Sequence, residues 1–364
     1  MFIVKSLYSE QITFLTPEQS NYSDTDLEIY KQKTLSFCHQ WYSGQTTFQI
    51  QTSGSTGKPK PINITRNQMI ASAKMTQQAI DLKKGYAALV CLNTEFIAGK
   101  MMLVRALEIG MSMYIIYPVA NPIKDFSSEI HIDFTAMVPY QLQTILEETP
   151  EKIEILNNMK GLIIGGAPVS EHLEKQIQKI QSPVYSTYGM TETVSHIALR
   201  KLNGPDASPI YTILPEVKTF TDSRNCLNIY GAVTNHINIA TNDVVEMLNE
   251  RQFIWKGRVD NVINSGGIKI QIEELETKLS AIFQKMNLTN RFIISGKADN
   301  SLSSKVVLII EGEITQSAKT QLQDLLKTNL TKYEIPKQIL FIKQFIETES
   351  GKIDRIKNIN LLLE

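Results

Sequence analysis

The chain has 364 residues, and its 37 Lys and Arg residues are balanced by 37 Asp and Glu residues. A chain of this length favours two domains and can bury a large core without disulfides or a structural metal. The formal net charge of zero argues against a general binder of nucleic acids or of acidic membrane surfaces.

The cysteines and the apolar segments bear on location. Cys38, Cys91 and Cys226 are scattered along the chain without the spacing of metal ligands, and this usage predicts a reducing, cytoplasmic environment. Lys5 and Glu10 interrupt the apolar residues at the N-terminus, so we expect no signal peptide. No apolar run has the length of a membrane span, which predicts no integral membrane contact.

In chain order, the first predicted elements are a helix over residues 24–42 and a short strand around Phe48 and Ile50. The helix is predicted because apolar residues recur along one side of it at helical spacing, namely Leu27, Tyr30, Phe37 and Trp41. The strand leads into a glycine-rich loop, residues 52–60.

This loop combines glycines, hydroxyl residues and lysines in the order Thr52-Ser53-Gly54-Ser55-Thr56-Gly57-Lys58-Pro59-Lys60. Glycine lets backbone N–H groups close on an anion, while the hydroxyls add donors and the lysines add positive charge. The loop differs from the ordinary P-loop, because only two residues separate its glycines and a proline follows its first lysine. We interpret it as a site for a polyphosphate, and a flexible surface turn is the alternative for so short a motif.

Beyond the loop, short apolar strands alternate with helices. Thr65 is the expected N-cap of a helix that ends near Ile80. Further helices are predicted over residues 99–109, 139–148 and 171–180, and strands over residues 86–92, 111–117, 134–138, 162–164 and 184–187. The alternation predicts an α/β fold with mostly parallel sheets flanked by helices. Ligands of such sheets bind at the carboxyl ends of the strands.

Two of these strand ends carry residues suited to a nucleotide. Gly165-Gly166-Ala167-Pro168 has almost no side chains and could lie flat against an adenine, although a tight turn is the alternative. Tyr188-Gly189-Met190-Thr191-Glu192-Thr193 offers a stacking face, hydroxyls and a carboxylate of the kind that binds Mg²⁺. A solvated loop is the alternative for the second segment.

The glycine-rich loop and these two segments together resemble the adenylate-forming superfamily, which includes acyl-CoA synthetases, aryl-CoA ligases and adenylation domains. The resemblance covers about residues 48–358. It implies that Tyr188 and Gly166-Ala167 bracket adenine, that Thr191 contacts the α-phosphate and that Glu192 binds Mg²⁺. The nucleotide-binding set that it implies is Thr52, Ser53, Gly54, Ser55, Thr56, Gly57, Lys58, Gly165, Gly166, Ala167, Tyr188, Gly189, Asp243 and Arg258.

The resemblance also assigns residues further along the chain. Asp243 would hold the ribose hydroxyls, within a turn in which Asn242 replaces the usual glycine and can adopt left-handed dihedrals. Arg258 would contact ribose or phosphate, and Asp260 would be the hinge between two domains. A turn residue is the alternative for Asp243, and a solvated charge is the alternative for Arg258 and Asp260.

We therefore expect a domain of residues 1–259 that binds the nucleotide and the acyl group, and a small, mobile α+β lid of residues 260–364. The lid is predicted to contain helices over residues 272–286 and 314–330 and strands over residues 292–295, 306–310 and 339–342. By resemblance, Lys352 is the catalytic lysine, although a solvated surface lysine is the alternative. The lid would present Gly266, Gly267 and Lys269 to a thiol.

The reaction that the resemblance implies has two steps. A carboxylate attacks the α-phosphorus of ATP to give an acyl-adenylate and pyrophosphate, and CoA then displaces AMP. The expected partners are thus a small carboxylic acid, ATP, Mg²⁺ and CoA, without nucleic acid. Lys352, Thr191 and Glu192 are the expected catalytic residues, and rotation about Asp260 would exchange the catalytic faces of the lid.

The acid should bind between residues 93–105 and residues 194–200. Lys100 and Arg105 could recognise a second carboxylate, although a solvated helix face is the alternative. Ser195 and His196 are placed to donate to an acidic or keto substrate, although His196 could equally be a satisfied, partly buried histidine.

Within the superfamily, the chain most resembles the short o-succinylbenzoate–CoA ligases of menaquinone biosynthesis, because of its compact length and the segment Thr191-Glu192-Thr193-Val194-Ser195-His196-Ile197. Two alternatives stay open. One is a ligase for another aryl or short acyl acid, or a ligase that loads a carrier protein. The other is a catalytically silent nucleotide-binding module. The sequence leaves the oligomeric state open.

Overall fold

The structure is a computed structural model that describes residues 2–5, 11–15, 23–51, 61–127, 130–299, 302–347 and 353–363. The glycine-rich loop of residues 52–60 and the predicted catalytic Lys352 lie outside the described residues. The expectations for both therefore stay predictions.

Strands run through the whole of the described chain. They are β1 (Phe2–Lys5), β2 (Gln11–Leu15), β3 (Thr47–Gln51), β4 (Pro61–Thr65), β5 (Ala87–Val90), β6 (Ser112–Ile116), β7 (Phe134–Met137), β8 (Gly161–Ile164), β9 (Val184–Gly189), β10 (His196–Lys201), β11 (Ile210–Ile213), β12 (Lys218–Thr221), β13 (Cys226–Tyr230), β14 (Ile239–Asn249), β15 (Gln252–Arg258), β16 (Val262–Ser265), β17 (Ile268–Gln271), β18 (Phe292–Asp299), β19 (Ser303–Glu311) and β20 (Gln338–Ile342).

Helices separate many of these strands. They are α1 (Asp24–Tyr42), α2 (Arg66–Ile80), α3 (Ile97–Ile109), α4 (Pro139–Glu148), α5 (Ile153–Asn157), α6 (Glu171–Ile177), α7 (Ile272–Lys285), α8 (Gln316–Asn329) and α9 (Arg355–Leu363).

The larger sheet has the strand order β1-β2-β6-β5-β7-β8-β9-β10-β11-β15-β14-β13-β12. The edge strand β1 pairs antiparallel with β2, and from β2 to β9 in that order the successive strands are parallel to one another. From β9 to β12 the neighbours run antiparallel. The α/β fold is thus confirmed, and its parallel part consists of strands that alternate with helices in the sequence. The antiparallel part lies downstream of that alternation.

The helices begin and end close to their predicted limits. Helix α1 spans Asp24–Tyr42, and its residues Tyr30, Phe37 and Trp41 are buried. Thr65 caps α2 as predicted, because its side chain accepts from the Gln68 N–H while the Gln68 side chain accepts from the Thr65 N–H. Such a reciprocal pair satisfies two backbone donors that the first helical turn leaves free.

The glycine-rich loop is framed by described structure on both sides. Strands β3 and β4 pair antiparallel, with Phe48 opposite Ile64 and Gln51 opposite Pro61. Phe48, Ile50 and Ile64 are buried in the main core. The loop therefore connects the ends of a hairpin that is anchored in the large domain.

The predicted turn at residues 241–243 is wrong. These residues lie inside β14, which pairs with β13 on one side and with β15 on the other. Asn242 is not among the residues with a positive φ, so it needs no left-handed dihedral. A short polar triplet looks like a turn in sequence, but here it forms a bulge in β14, where the register with β13 shifts and the Asp243 N–H donates to Thr241 Oγ1 at 3.0 Å.

A second sheet forms the C-terminal part, in the order β17-β16-β19-β18, with β20 beside β19. Helices α7 and α8 pack on it around a core of their own, which includes Leu275, Leu308 and Leu322. The small α+β unit is thus confirmed. Strand β15 ends the larger sheet at Arg258 and β16 begins the smaller one at Val262, so residues 259–261 connect the two.

The structure also bears on the cysteines and on the apolar segments. All three cysteines are buried, and none forms a disulfide. In the part of the chain that the structure describes, no helix is long and apolar enough to cross a membrane.

Candidate active site

The two glycine-containing segments meet at the carboxyl edge of the larger sheet. Strands β8 and β9 are parallel neighbours, with Ile164 opposite Ser186. Gly165 and Gly166 follow the first strand directly, and Tyr188 is the last residue but one of the second. A Cβ on Gly165 would lie 2.2 Å from Thr187 Oγ1, so only glycine fits here. Gly166 has φ +86°, a left-handed conformation that also favours glycine.

Tyr188 is held in place by an aromatic group and a carboxylate. Its ring contacts Phe253 edge-on, with centroids 5.2 Å apart, and Tyr211 at 5.9 Å. Its hydroxyl donates to Asp243 Oδ2 at 2.8 Å. Burial and the neighbouring Asp243 charge raise the pKa of Tyr188, so it is a neutral donor.

Asp243 is buried and surrounded by donors. Besides Tyr188, Trp255 Nε1 donates to its Oδ1 at 3.3 Å, and Arg258 Nη1 lies 3.6 Å from the same oxygen. The β14–β15 pairing places Asp243 directly opposite Arg258. The structure therefore brings Tyr188, Asp243 and Arg258 together. Sequence reasoning missed Trp255, because only the register of two antiparallel strands reveals its contact.

The Asp243 carboxylate can still accept further hydrogen bonds. A carboxylate has about four acceptor positions, and each Asp243 oxygen accepts one of the two hydrogen bonds described. One position on each oxygen is left, which is the pattern that two vicinal hydroxyls require. The predicted ribose contact is consistent with this arrangement and stays a prediction.

A strained turn separates Glu192 from Ser195. Residues 191–193 form a single 3₁₀ turn, and Val194 follows it with φ 67° and ψ −52°. The Ser195 N–H donates to the Thr193 carbonyl at 2.7 Å, which closes a γ-turn around the buried Val194. This conformation is rare for a β-branched residue, and it persists only where its surroundings enforce it.

The turn gives its two ends different surroundings. Glu192 is exposed, whereas Ser195 is half-buried and accepts a hydrogen bond from Arg105. A single exposed carboxylate suits Mg²⁺, which protein sites usually hold through one or two carboxylates together with substrate phosphates. Among the described residues, no cluster of three or more metal-binding side chains exists that would bind a cation without the nucleotide.

Arg105 is a fully buried cation on α3. Its Nε donates to Thr76 Oγ1 at 3.1 Å, its Nη2 to Ser195 Oγ at 2.8 Å and its Nη1 to Met102 Sδ at 3.9 Å. All three partners are neutral. Burial lowers the pKa of the Arg105 guanidinium to about 9, which reflects the cost of keeping its charge away from water.

His196 lies beside Arg105 and shares Thr76 with it. Thr76 Oγ1 donates to the Ser72 carbonyl at 3.1 Å and lies 3.0 Å from His196 Nε2. Because that hydroxyl has only one proton, the network places the ring proton on Nε2 and leaves Nδ1 to accept from Ser195 Oγ, 3.4 Å away. Burial and the Arg105 charge hold the pKa of His196 well below its usual range. The ring is therefore neutral.

The structure thus assembles Arg105, Ser195 and His196 but places Lys100 elsewhere. Lys100 Nζ donates to the Glu95 carbonyl at 2.6 Å and lies 5.8 Å from the centre of the Phe37 ring. Thr76 belongs to the cluster and was missed, because a threonine within a helix carries no sequence signal of its role.

The lid residues are described only in part. Gly266 and Gly267 form the tight turn between β16 and β17, with φ 59° and 80°. A Cβ on Gly266 would lie 2.6 Å from the Tyr333 ring, whereas Gly267 has nothing within 4 Å. Lys269 is exposed on β17. The hairpin tip is therefore open to a ligand, and its predicted role in the thiol step stays a prediction.

Comparison with known proteins establishes the class. A model of the AMP-binding enzyme family matches residues 17–218, more than half of the chain, and the chain belongs to this family. The class is that of an ATP-using, AMP-forming acid–CoA ligase.

Similar proteins support this class. The 2-succinylbenzoate–CoA ligase of Enterococcus faecalis is 26% identical over 385 residues, covering 96% of this chain and 77% of that protein. The crystal structure of an acyl-CoA synthetase (AMP-forming)/AMP-acid ligase II-like protein from Dyadobacter fermentans is 42% identical, with a TM-score of 0.62 and coverage of 94% and 96%. The o-succinylbenzoate coenzyme A synthetase of Bacillus subtilis, in complex with ATP and magnesium, shares the fold at 22% identity, with a TM-score of 0.68 and coverage of 85% and 69%.

The neutral state of His196 predicts a pH dependence of stability. The folded protein resists protonation of this ring, whereas the unfolded chain binds the proton below about pH 6.5. The free energy of unfolding should therefore fall as the pH drops below that value, by up to about 1.4 kcal/mol per pH unit from this residue. Urea unfolding between pH 5 and pH 8 measures the slope. In His196→Gln the slope should become smaller, and an unchanged slope would contradict the assignment.

Proposed function

We propose that the acid is o-succinylbenzoate, which the enzyme converts to o-succinylbenzoyl-CoA at the expense of ATP. The observation that carries the proposal is Arg105, a buried guanidinium with no carboxylate among its described contacts. The names of several relatives, 2-succinylbenzoate–CoA ligase, support the same acid. The proposal includes a role in menaquinone biosynthesis and a cytoplasmic location.

Electrostatics explains why Arg105 points to a second carboxylate. A buried cation without an anion is costly, and an arginine fork matches a carboxylate in geometry and charge. o-Succinylbenzoate has two carboxylates and a ketone, so one carboxylate can react while Arg105 holds the other. Ser195 is half-buried, so this edge of the cluster is partly exposed to solvent. Neutral His196 adds polarity without a competing charge.

Each part of the candidate site has a place in the first half-reaction. A carboxylate oxygen forms a bond to the α-phosphorus, and the bond from that phosphorus to pyrophosphate breaks. Tyr188 and Gly166-Ala167 enclose the adenine, while Asp243 and Arg258 hold the ribose. Two anions must approach each other, so the loop of residues 52–60 and Lys352 supply positive charge and orientation. Mg²⁺, held through Glu192, would neutralise phosphate charge, and Thr191 would contact the α-phosphate.

The second half-reaction uses the lid. The sulfur of CoA attacks the acyl carbon and AMP leaves. We place the domain boundary at Asp260, where a rotation would withdraw Lys352 and bring forward the hairpin of Gly266, Gly267 and Lys269. The open Gly267 allows a ligand to approach the backbone closely. Lys100 has a smaller part in this proposal than the sequence suggested, because its amine already binds the Glu95 carbonyl.

The acid is tested directly by ATP-dependent pyrophosphate release with o-succinylbenzoate, benzoate and medium-chain fatty acids, each with and without CoA. Release with o-succinylbenzoate alone, followed by a CoA-dependent thioester, is the expected result. Release with a different acid would retain the ligase class and reject this substrate. Transfer to a carrier protein in place of CoA would favour the carrier-loading alternative.

Arg105→Met should separate substrate recognition from stability. Methionine fills the site without a charge, so the melting temperature should be unchanged or higher. For o-succinylbenzoate, kcat/KM should fall about 100-fold, because the second carboxylate loses its partner. For an acid without a second carboxylate the loss should be much smaller.

Arg200→Met is the matched control for that experiment. Arg200 lies on β10 and is already paired with Glu174, 2.5 Å away. Its loss should leave the ratio of kcat/KM between the two acids unchanged. Equal losses on both acids in Arg105→Met would refute the role of Arg105 in recognising the second carboxylate.

Lys352→Ala should abolish adenylate formation but spare the thiolysis of a supplied acyl-adenylate. The lysine is expected to neutralise charge in the first half-reaction only. Pyrophosphate release measures the first step, and AMP release from the acyl-adenylate with CoA measures the second. Equal loss of both would contradict the exchange of catalytic faces.

A further inference from the structure

Residues 259–261, which connect the two sheets, include Asp260. Among the described contacts, the carboxylate of Asp260 binds only side chains of the larger sheet. Arg258 Nε and Nη2 donate to Asp260 Oδ1 and Oδ2 at 2.9 and 2.8 Å. Asn242 Nδ2 donates to Asp260 Oδ2 at 3.2 Å. The next residue turns to the other domain, since Asn261 Nδ2 donates to Glu273 Oε1 of α7 at 2.7 Å. The chain therefore changes domains between residues 260 and 261.

The amide of Asn242 has only one orientation that satisfies its neighbours. Arg224 Nη1 lies 3.3 Å from one end of the amide, and an arginine can only donate, so that end is the Oδ1 oxygen. The NH₂ group must then face the opposite side, where the Asp260 carboxylate can only accept. The two charged neighbours therefore fix the direction of the amide.

Arg224 is itself held in position. Its Nε and Nη2 donate to Asp222 Oδ2 at 2.9 and 2.7 Å. Asp222 Oδ1 accepts in turn from the backbone N–H groups of Arg224 and Cys226 at 2.8 and 3.0 Å. A continuous chain of hydrogen bonds thus runs from the β12–β13 turn through Asn242 to the connection between the domains.

We infer that Asn242 is a positioning residue for the lid. Its amide, oriented by Arg224, holds the Asp260 carboxylate against the larger sheet and sets the balance between the two half-reactions. The inference rests on the two-step function proposed above. Asn242 also fixes this segment through its backbone, because its carbonyl accepts from the Val259 N–H at 2.9 Å. A substitution of its side chain leaves that bond in place and removes only the contacts of the amide with Arg224 and Asp260.

Asn242→Ala should change the two half-reactions by different factors. Loss of one hydrogen bond to a charged group favours other orientations of the connection. The ratio of the adenylation rate to the thiolysis rate should therefore shift at least about threefold, while the KM for ATP and the melting temperature stay the same. Any acid that the wild type adenylates serves for this measurement, so the identity of the natural acid does not affect it.

The network predicts how a second variant behaves. Arg224→Ala should produce a shift in the same direction, because the Asn242 amide is then free to turn. The double variant should show no further shift, as expected of two residues that act through one contact. Asn249→Ala is the matched control, since Asn249 lies at the other end of β14 with its amide bonded to Gln252 Oε1 at 2.9 Å. It should leave the ratio unchanged.

A measurement without substrate completes the test. Amide hydrogen exchange at residues 259–262 should be faster in Asn242→Ala than in the wild type or in Asn249→Ala. Unchanged exchange, or equal changes in both half-reactions, would overturn the inference. A wild type that adenylates none of the acids tested would instead refute the proposed function, and the exchange measurement would still decide the role of Asn242.

Discussion

The pairing of β9 is the constraint on which the site depends. This strand is parallel to β8 on one side and antiparallel to β10 on the other, so it joins the two parts of the larger sheet. Its last residues leave the parallel part at the carboxyl edge, where such sheets bind ligands. The strained turn at Val194 then returns the chain as β10. The turn after this strand thereby leaves Glu192 exposed and directs Ser195 towards the buried Arg105.

The sequence predicted those features that depend on neighbours along the chain. The Thr65 cap and the apolar face of α1 are local patterns, and both appear where expected. The sequence did not predict the antiparallel strands or the extended conformation of Asn242. It also did not predict the contacts of Thr76 and Trp255. Each depends on the register between segments far apart in sequence, and no local pattern records that register. The family resemblance predicted that Asp243 and Arg258 belong to the nucleotide-binding set, but it did not predict which residues contact them in the protein.

The Arg105 cluster shows how a site can be built at a cost to stability. A buried guanidinium with neutral partners is less favourable than an apolar side chain of the same size. Thr76, Ser195 and Met102 satisfy its donors without neutralising its charge. A negatively charged ligand would form the ion pair with Arg105 that the free protein does not contain. In the proposed function, an anionic acid that binds beside Arg105 would offset this cost.

Arg258 links Asp243 to the connection between the two sheets. Its guanidinium lies 3.6 Å from Asp243 and forms two hydrogen bonds with Asp260, so one cation serves both carboxylates. The pairing with Asp260 raises the pKa of Arg258 and lowers that of Asp260, which shows that each stabilises the charge of the other. A ribose or phosphate that draws Arg258 towards the nucleotide must weaken its hold on Asp260. In the proposed function, the position of the lid would then depend on the nucleotide through the side chain of Arg258.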